Sequence, residues 1–83
     1  SNIDINSQNK LLETPLMIAV YSSKSNEQIV KLLLDHPNID INKKDKDGCT
    51  VLMMACDHGD YEIVKLLLNN PKININLKNK DYM

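Results

Sequence analysis

One stretch of the chain occurs twice. Residues 28–42 (QIVKLLLDHPNIDIN) return 34 positions later as residues 62–76 (EIVKLLLNNPKININ), and residues 3–6 resemble the end of both copies. A second set of matches lies upstream of this stretch. Thr14, Leu16, Met17 and Ala19 recur 36 positions later as Thr50, Leu52, Met53 and Ala55. A unit of this length, present twice with a partial copy in front, is typical of a stacked repeat protein.

The composition limits both the core and the partners. The 83 residues include no Phe or Trp, so the core must consist of Leu, Ile, Val, Met and Ala. The net charge is -1 and all ten basic residues are Lys, so the guanidinium groups that favour phosphates and bases are missing. We therefore expect no nucleic-acid partner. No apolar run approaches the roughly 18 residues that span a bilayer, and no leader opens the chain, so we expect no membrane contact and a cytoplasmic location.

The two cysteines are seven positions apart, at Cys49 and Cys56, and a helix over this segment separates them by roughly 10 Å. A disulfide requires Cα atoms closer than about 7 Å. We therefore expect free thiols in a reducing compartment.

Capping signals divide each unit into two helices. The predicted N-caps are Thr14, Asn26, Thr50 and Asp60. The predicted helices extend over about residues 15–21, 27–35, 51–57 and 61–69. Gly59 is predicted to end the third helix, and Gly48 to supply a positive φ in the polar turn before it.

The apolar residues of the second helices indicate packing between units. Ile29, Val30, Leu33 and Leu34 form one predicted stripe, and the leucine runs at 32–34 and 66–68 are interpreted as core, not as a partner groove. Neither helix pair has a second apolar layer, so a neighbour must supply it. Two pairs are fewer than the roughly three usually needed. We therefore expect either a longer array or self-association through the exposed ends.

Residues 45–68 resemble the ankyrin repeat, whose motif runs D-x-x-G-x-T-P-L-H-x-A-A-x-x-G-x-x-x-I-V-x-x-L-L. The resemblance covers about residues 6–81 and implies an all-α array of helix-turn-helix repeats, a solenoid, with short β-hairpin fingers. The expected array comprises about two full repeats and partial flanking units. We divide the chain into a partial N-terminal finger segment (1–13), a first repeat (14–49), and a second repeat with a C-terminal finger segment (50–83).

Several residues depart from the motif. Met17 and Met53 stand where it has His, which implies the loss of a hydrogen bond between neighbouring units. Leu12 and Tyr82 occupy finger positions where Gly is usual, which implies irregular outer fingers.

The resemblance also implies a non-catalytic protein-interaction module that grips its partner with the finger tips and the exposed side of the first helices. Carried over position by position, the partner-binding residues are Lys10, Leu11, Glu13, Tyr21, Ser22, Lys46, Asp47, Cys49, Asp57, His58, Lys80 and Asp81. The alternating Lys and Asp residues of the fingers have two interpretations, a solvated surface and a mixed-sign surface that selects a protein of complementary charge. Two interpretations of Tyr21 stay open, an interface anchor and a cover for the loop that follows it. The alternative function is a structural spacer in a longer array, or an appendage to an enzyme.

Other chemistries are disfavoured. Residues 45–48 (DKDG) resemble part of a calcium loop, but Lys43 and Met54 would stand at its first and twelfth ligand positions, so we predict a simple turn. The Cys and His residues lack the short paired spacing of a zinc site, and we expect no metal and no cofactor. We interpret Cys56 as a core residue where the motif has Ala, and His58 as exposed. Shallow helix pairs offer a nucleophile neither a base nor an oxyanion pocket, so we expect no enzyme activity.

Overall fold

The structure is a computed structural model that describes residues 4–22 and 27–76. These ranges contain four α-helices and no strand. The helices are α1 (Pro15–Tyr21), α2 (Glu27–Leu34), α3 (Val51–His58) and α4 (Tyr61–Leu68). The predicted helices are confirmed, and the ends of α2, α3 and α4 each differ from the prediction by one residue.

A threonine cap begins the first helix of each unit. The hydroxyl of Thr14 accepts a hydrogen bond from the N–H of Met17 at 3.2 Å, and that of Thr50 accepts one from Met53 at 3.4 Å. The sulfur of Met17 also accepts from the N–H of Thr14 at 3.4 Å. Met17 therefore completes a reciprocal cap inside its own unit.

The connection between α3 and α4 also follows the prediction. Gly59 ends α3 at φ 71°, a left-handed conformation that glycine adopts without steric cost. The carboxylate of Asp60 then accepts a hydrogen bond from the N–H of Ile63 at 3.2 Å and caps α4. The predicted cap at Asn26 lies outside the described residues.

The finger loops are turns and not the β-hairpins that we expected. Each is closed by a backbone hydrogen bond, from the N–H of Asn9 to the oxygen of Glu13 at 3.1 Å and from Asp45 to Cys49 at 2.9 Å. No strand ladder continues from these bonds in residues 4–22 and 27–76. The reason is that side chains at the finger bases accept the N–H groups that a ladder would use.

The helices form two layers around a shared core. The first helices, α1 and α3, pack on each other, as do the second helices, α2 and α4, and each unit also packs internally. The buried apolar residues are Leu16, Met17, Val20, Val30, Ile39, Ile41, Val51, Met54, Ala55, Ile63 and Leu67. Residues of both units and of the loop between them therefore build one core, as the repeat pattern predicted.

Position in the stack decides whether equivalent residues are buried. Ile18 and Ile29 of the first unit are 50% and 46% exposed, whereas their equivalents Met54 and Ile63 are 5% and 0% exposed. Leu32 is 72% exposed. The predictions that Ile29 and Leu32 belong to the core are therefore wrong, because no described helix pair covers this side of the first unit. We call Ile18, Ile29 and Leu32 the N-terminal end face.

The opposite end shows the reverse pattern. Val20 and Ile41 are 1% and 2% exposed, whereas Ile75, the equivalent of Ile41, is 64% exposed and Cys56, the equivalent of Val20, is also exposed. The predictions that Cys56 and Leu68 are core residues are wrong for the same reason, and Leu68 is 50% exposed. We call Cys56, Leu68 and Ile75 the C-terminal end face. Cys49 and Cys56 form no disulfide with each other, as predicted.

An asparagine side chain ties the first loop to the second. The amide nitrogen of Asn6 donates to the carbonyl oxygen of Asn38 at 2.8 Å, and its amide oxygen accepts from the N–H of Asp40 at 2.8 Å. One side chain thus satisfies a backbone acceptor and a backbone donor of the next loop.

Asn42 repeats this arrangement one unit later. Its amide nitrogen donates to the carbonyl oxygen of Lys72 at 2.8 Å, and its oxygen accepts from the N–H of Asn74 at 2.9 Å. We call this pair of bonds the asparagine clamp. It fixes the register of consecutive loops.

Candidate partner-binding surface

The first finger tip, residues 9–13, is built around one side-chain oxygen. The amide oxygen of Asn9 accepts hydrogen bonds from the N–H groups of Leu11 and Glu13, both at 2.9 Å. Leu12 adopts φ 61° to complete the turn, which costs a residue with a Cβ atom about 1–2 kcal/mol. The irregular outer finger predicted from Leu12 is therefore a strained turn.

The second finger tip, residues 45–49, has the same design. A carboxylate oxygen of Asp45 accepts from the N–H groups of Asp47 and Cys49, both at 2.9 Å. Gly48 takes the left-handed conformation at φ 81°, as predicted. Residues 45–49 therefore form the simple turn that the sequence predicts. A carboxylate oxygen of Asp45 stabilises this turn through its bonds to the backbone.

Direct bonds hold the two finger tips side by side. The N–H of Lys46 donates to the carbonyl oxygen of Leu11 at 3.0 Å. The side-chain amide of Gln8 donates to the carbonyl oxygens of Leu12 at 2.8 Å and Lys44 at 3.0 Å. Gln8 was not among the predicted site residues, because a contact across 36 positions has no local sequence signal.

The side chains on these tips are charged, with one apolar patch. Lys10, Leu11, Lys46 and Asp47 are exposed, whereas Glu13 and Cys49 are half-buried. The carboxylate of Glu13 accepts a hydrogen bond from the side-chain amide of Asn9 at 3.1 Å. This predicted partner-binding residue therefore also stabilises its own turn. Leu12, which sequence reasoning omitted from the site, is as exposed as Leu11 and extends the apolar patch.

The ends of α1 and α3 meet through Tyr21 and His58. Their rings lie edge to face, with centroids 5.2 Å apart and an interplanar angle of 70°. The Nε2 atom of His58 lies 3.3 Å from the carbonyl oxygen of Tyr21, which can only accept, so Nε2 is the donor. Both side chains are exposed, so the pair forms a joint aromatic surface across the two units. The sequence placed both residues in the site but did not predict their contact.

The remaining predicted residues have different roles. The hydroxyl of Ser22 donates to the carbonyl oxygen of Ala19 at 3.0 Å, so its proton is used within α1. Asp57 is exposed in the last turn of α3. Lys80 and Asp81 lie outside the described residues.

A groove of about 410 Å³ lies at the C-terminal ends of α2 and α4. Its lining residues are Lys31, Leu34, Asp35, Leu66, Asn69, Asn70 and Pro71. None of the predicted site residues lines it. Within residues 4–22 and 27–76 there is no group of three side chains suited to hold a metal ion. No helix in the same part of the chain is long and apolar enough to cross a bilayer.

Comparison with known proteins identifies one family. A family model described as ankyrin repeats, in three copies, matches residues 1–79. No curated protein matches the chain.

The two finger tips predict opposite effects of substitution at equivalent positions. Replacement of Leu12 by Gly should raise the free energy of unfolding by up to about 1 kcal/mol, because the strain at positive φ exceeds the entropy cost of glycine. Replacement of Gly48 by Ala should lower it by about 1 kcal/mol or more. Urea unfolding followed by circular dichroism measures both. Effects of the same sign would contradict the assigned turn geometry.

Proposed function

Because the chain belongs to the ankyrin repeat family, whose members are generally protein-protein interaction modules, we propose that it binds a partner protein through its finger tips and first-helix ends. The family is typically non-catalytic, and we extend this to the present chain. We also propose a cytoplasmic location, in keeping with two cysteines, Cys49 and Cys56, that form no disulfide with each other. The division into segments 1–13, 14–49 and 50–83 remains a prediction.

The observation that carries this proposal is the rigid spacing of the finger tips. The Lys46–Leu11 backbone bond and the two bonds of Gln8 fix the tips before any partner arrives. A surface that is already ordered loses little conformational entropy on binding, and this raises affinity.

The chemistry of the tips indicates the kind of partner. Exposed Lys10, Lys46 and Asp47 present both signs of charge around the apolar patch of Leu11 and Leu12. A fitting partner has an apolar side chain that covers the leucines and charges of opposite sign around it. Such complementary charges give specificity more than raw affinity.

The test reverses the two charges on the second tip. The double variant Lys46→Asp, Asp47→Lys keeps the net charge, and both side chains are exposed, so we expect an unchanged circular dichroism spectrum. We expect the amount of partner protein retained by this variant to fall at least about 10-fold, because like charges then face each other across the interface. Immobilised protein is incubated with a lysate of cells that express it, and retained proteins are quantified by mass spectrometry.

A matched control makes the same charge exchange on the layer of second helices, α2 and α4. Lys31→Asp, Asp35→Lys reverses an exposed pair at the groove of α2 and α4, and should retain the same proteins as the unmodified chain. Equal retention by the finger variant and the control would contradict recognition through the finger tips. It would favour the spacer function.

The spacer function is the second candidate, and the two end faces support it. Ile18, Ile29 and Leu32 at one end, and Leu68 and Ile75 at the other, are exposed apolar residues at positions where equivalent residues pack against a neighbour. A segment whose ends both pack against further units would transmit geometry along an array without a ligand of its own.

We also propose weak self-association, through the N-terminal end face. Its three aliphatic side chains can pack against the same face of a second copy around a two-fold axis. Static light scattering over a range of concentrations should show a concentration-dependent mass for the unmodified chain and a monomer for Leu32→Lys. The control Leu68→Lys places the same charge on the opposite end and should still associate. A monomer at all concentrations of the unmodified chain would contradict the proposal.

A further inference from the structure

His36 stands in a turn position that an asparagine holds in the second unit. His36 and Asn70 are 34 positions apart, both are half-buried, and each precedes a proline. The Nδ1 atom of His36 accepts a hydrogen bond from the N–H of Asn38 at 3.1 Å. In the second unit the side-chain oxygen of Asn70 accepts one from the N–H of Lys72 at 2.9 Å. The imidazole nitrogen therefore takes the place of an amide oxygen.

The backbone bonds of the two turns also match. The N–H of Ile39 donates to the carbonyl oxygen of His36 at 3.1 Å. The N–H of Ile73 donates to the carbonyl oxygen of Asn70, also at 3.1 Å. We call residues 36–39 the histidine turn. It matches its counterpart in these bonds and differs in the chemistry of the side-chain acceptor. An amide oxygen accepts a hydrogen bond throughout the range of about pH 5 to 8, whereas an imidazole nitrogen accepts one only while it carries no proton.

The histidine turn is bonded to the loops on both sides of it. The carbonyl oxygen of Asn38 accepts from the side-chain amide of Asn6 in the preceding loop at 2.8 Å. The carbonyl oxygen of Pro37 accepts from the Nζ atom of Lys72 in the following loop, also at 2.8 Å. Ile39 is 4% exposed and belongs to the core. A change in this turn therefore reaches both neighbouring loops and the core between the units.

We propose that His36 makes the link between the two units sensitive to pH: the unprotonated imidazole holds the histidine turn in shape, and protonation releases it. The imidazolium ion carries a proton on both ring nitrogens, so neither nitrogen can accept the N–H of Asn38, whichever way the ring rotates. The carbonyl groups that bind Asn6 and Lys72 then lose the turn that positions them. The proposal does not depend on recognition through the finger tips.

The direction of the pH effect follows from the number of bound protons. The folded state disfavours protonation of His36 and the unfolded chain does not, so the unfolded chain binds more protons as the pH falls from 7.5 to 5.5. The free energy of unfolding must then decrease over this interval. The negative end of the α2 dipole attracts a cation and opposes the effect. The ammonium group of Lys72 already lies at the same turn, however, and repels a second cation there.

The charged groups around the histidine turn are of both signs. On the elements packed against it, the charged groups at this end are Lys31 and Asp35 of α2, Asp4 of the first loop, Asp40 of the same loop, Lys65 of α4, and Lys72. The carboxylates of Asp4 and Asp40 accept N–H groups within their own loops. Lys65 lies over the ring of Tyr61. A substitution at His36 leaves all these groups in place, so their own titration cancels when the two chains are compared.

The test replaces His36 by asparagine, the residue that the equivalent turn already holds. His36→Asn keeps an acceptor for the N–H of Asn38 and removes the group that titrates. Urea unfolding of the full chain, followed by circular dichroism, gives the folding equilibrium constant at pH 7.5 and 5.5. We expect this constant to fall at least about 3-fold more in the unmodified chain than in His36→Asn, because one hydrogen bond of the folded state is lost. An equal fall in both chains, or a larger fall in the variant, would overturn the proposal.

Two further variants serve as reciprocal and control. Asn70→His places an imidazole in the equivalent turn of the second unit, so the fall in the folding equilibrium constant should be about 3-fold larger than in the unmodified chain. His58→Gln removes the other imidazole of the chain, whose Nε2 donates to the carbonyl oxygen of Tyr21 and keeps its proton in both charge states. This control should keep the pH dependence.

Each variant can contradict the proposal. It would be overturned if Asn70→His showed only the pH dependence of the unmodified chain, or if His58→Gln abolished that dependence. A His36→Asn chain that does not fold would also overturn it, because the two turns would then not be equivalent.

The position of the imidazole proton gives a second and direct measurement. Two-bond proton–nitrogen NMR correlations of the isotope-labelled chain at pH 7.5 distinguish the two neutral tautomers of His36. We expect the proton on Nε2, because Nδ1 is the acceptor. A proton on Nδ1 at this pH would overturn the proposal whatever the unfolding experiments show.

Discussion

The structure depends on apolar burial between two helix pairs, because neither pair can cover its own core. Ile63 and Leu67 are fully buried although α4 has only eight residues, a length at which an isolated helix is unstable in water. A fully buried Ile or Leu side chain contributes about 1.5–3 kcal/mol, so tertiary packing supplies what local propensity does not. The two units therefore fold together. The same constraint leaves apolar residues exposed at both ends of the described stack.

Side-chain amides and carboxylates organise the loops that join these helices. Asn9 and Asp45 accept the N–H groups of their own turns, and Asn6 and Asn42 bond to the backbone of the next loop. Such local bonds compete with strand formation and remove the need for a ladder. The consequence for function is a row of tips that is ordered without a partner, on the surface proposed to recognise one.

The features that could be predicted from the sequence are those determined by residues close together in the chain. Thr14 and Gly59 act within a few residues of themselves, so capping rules located their helix ends. The exposure of Cys56 could not be predicted in this way, because it depends on whether another unit covers that position. For the candidate site, periodicity located the finger tips, but the bridge made by Gln8 and the ring contact of Tyr21 join residues more than thirty positions apart. Such pairings require the three-dimensional arrangement.

The most direct test of the shared core compares one substitution at two equivalent positions. Ile29 and Ile63 occupy the same place in α2 and α4, yet only Ile63 is covered by a neighbouring unit. Urea unfolding should show that Ile63→Val lowers the free energy of unfolding by about 0.5–1.5 kcal/mol, through loss of a buried methyl group. Ile29→Val should lower it by less than about 0.5 kcal/mol. Equal losses of stability at the two positions would contradict the claim that the first unit covers Ile63 while Ile29 has no neighbouring unit to cover it.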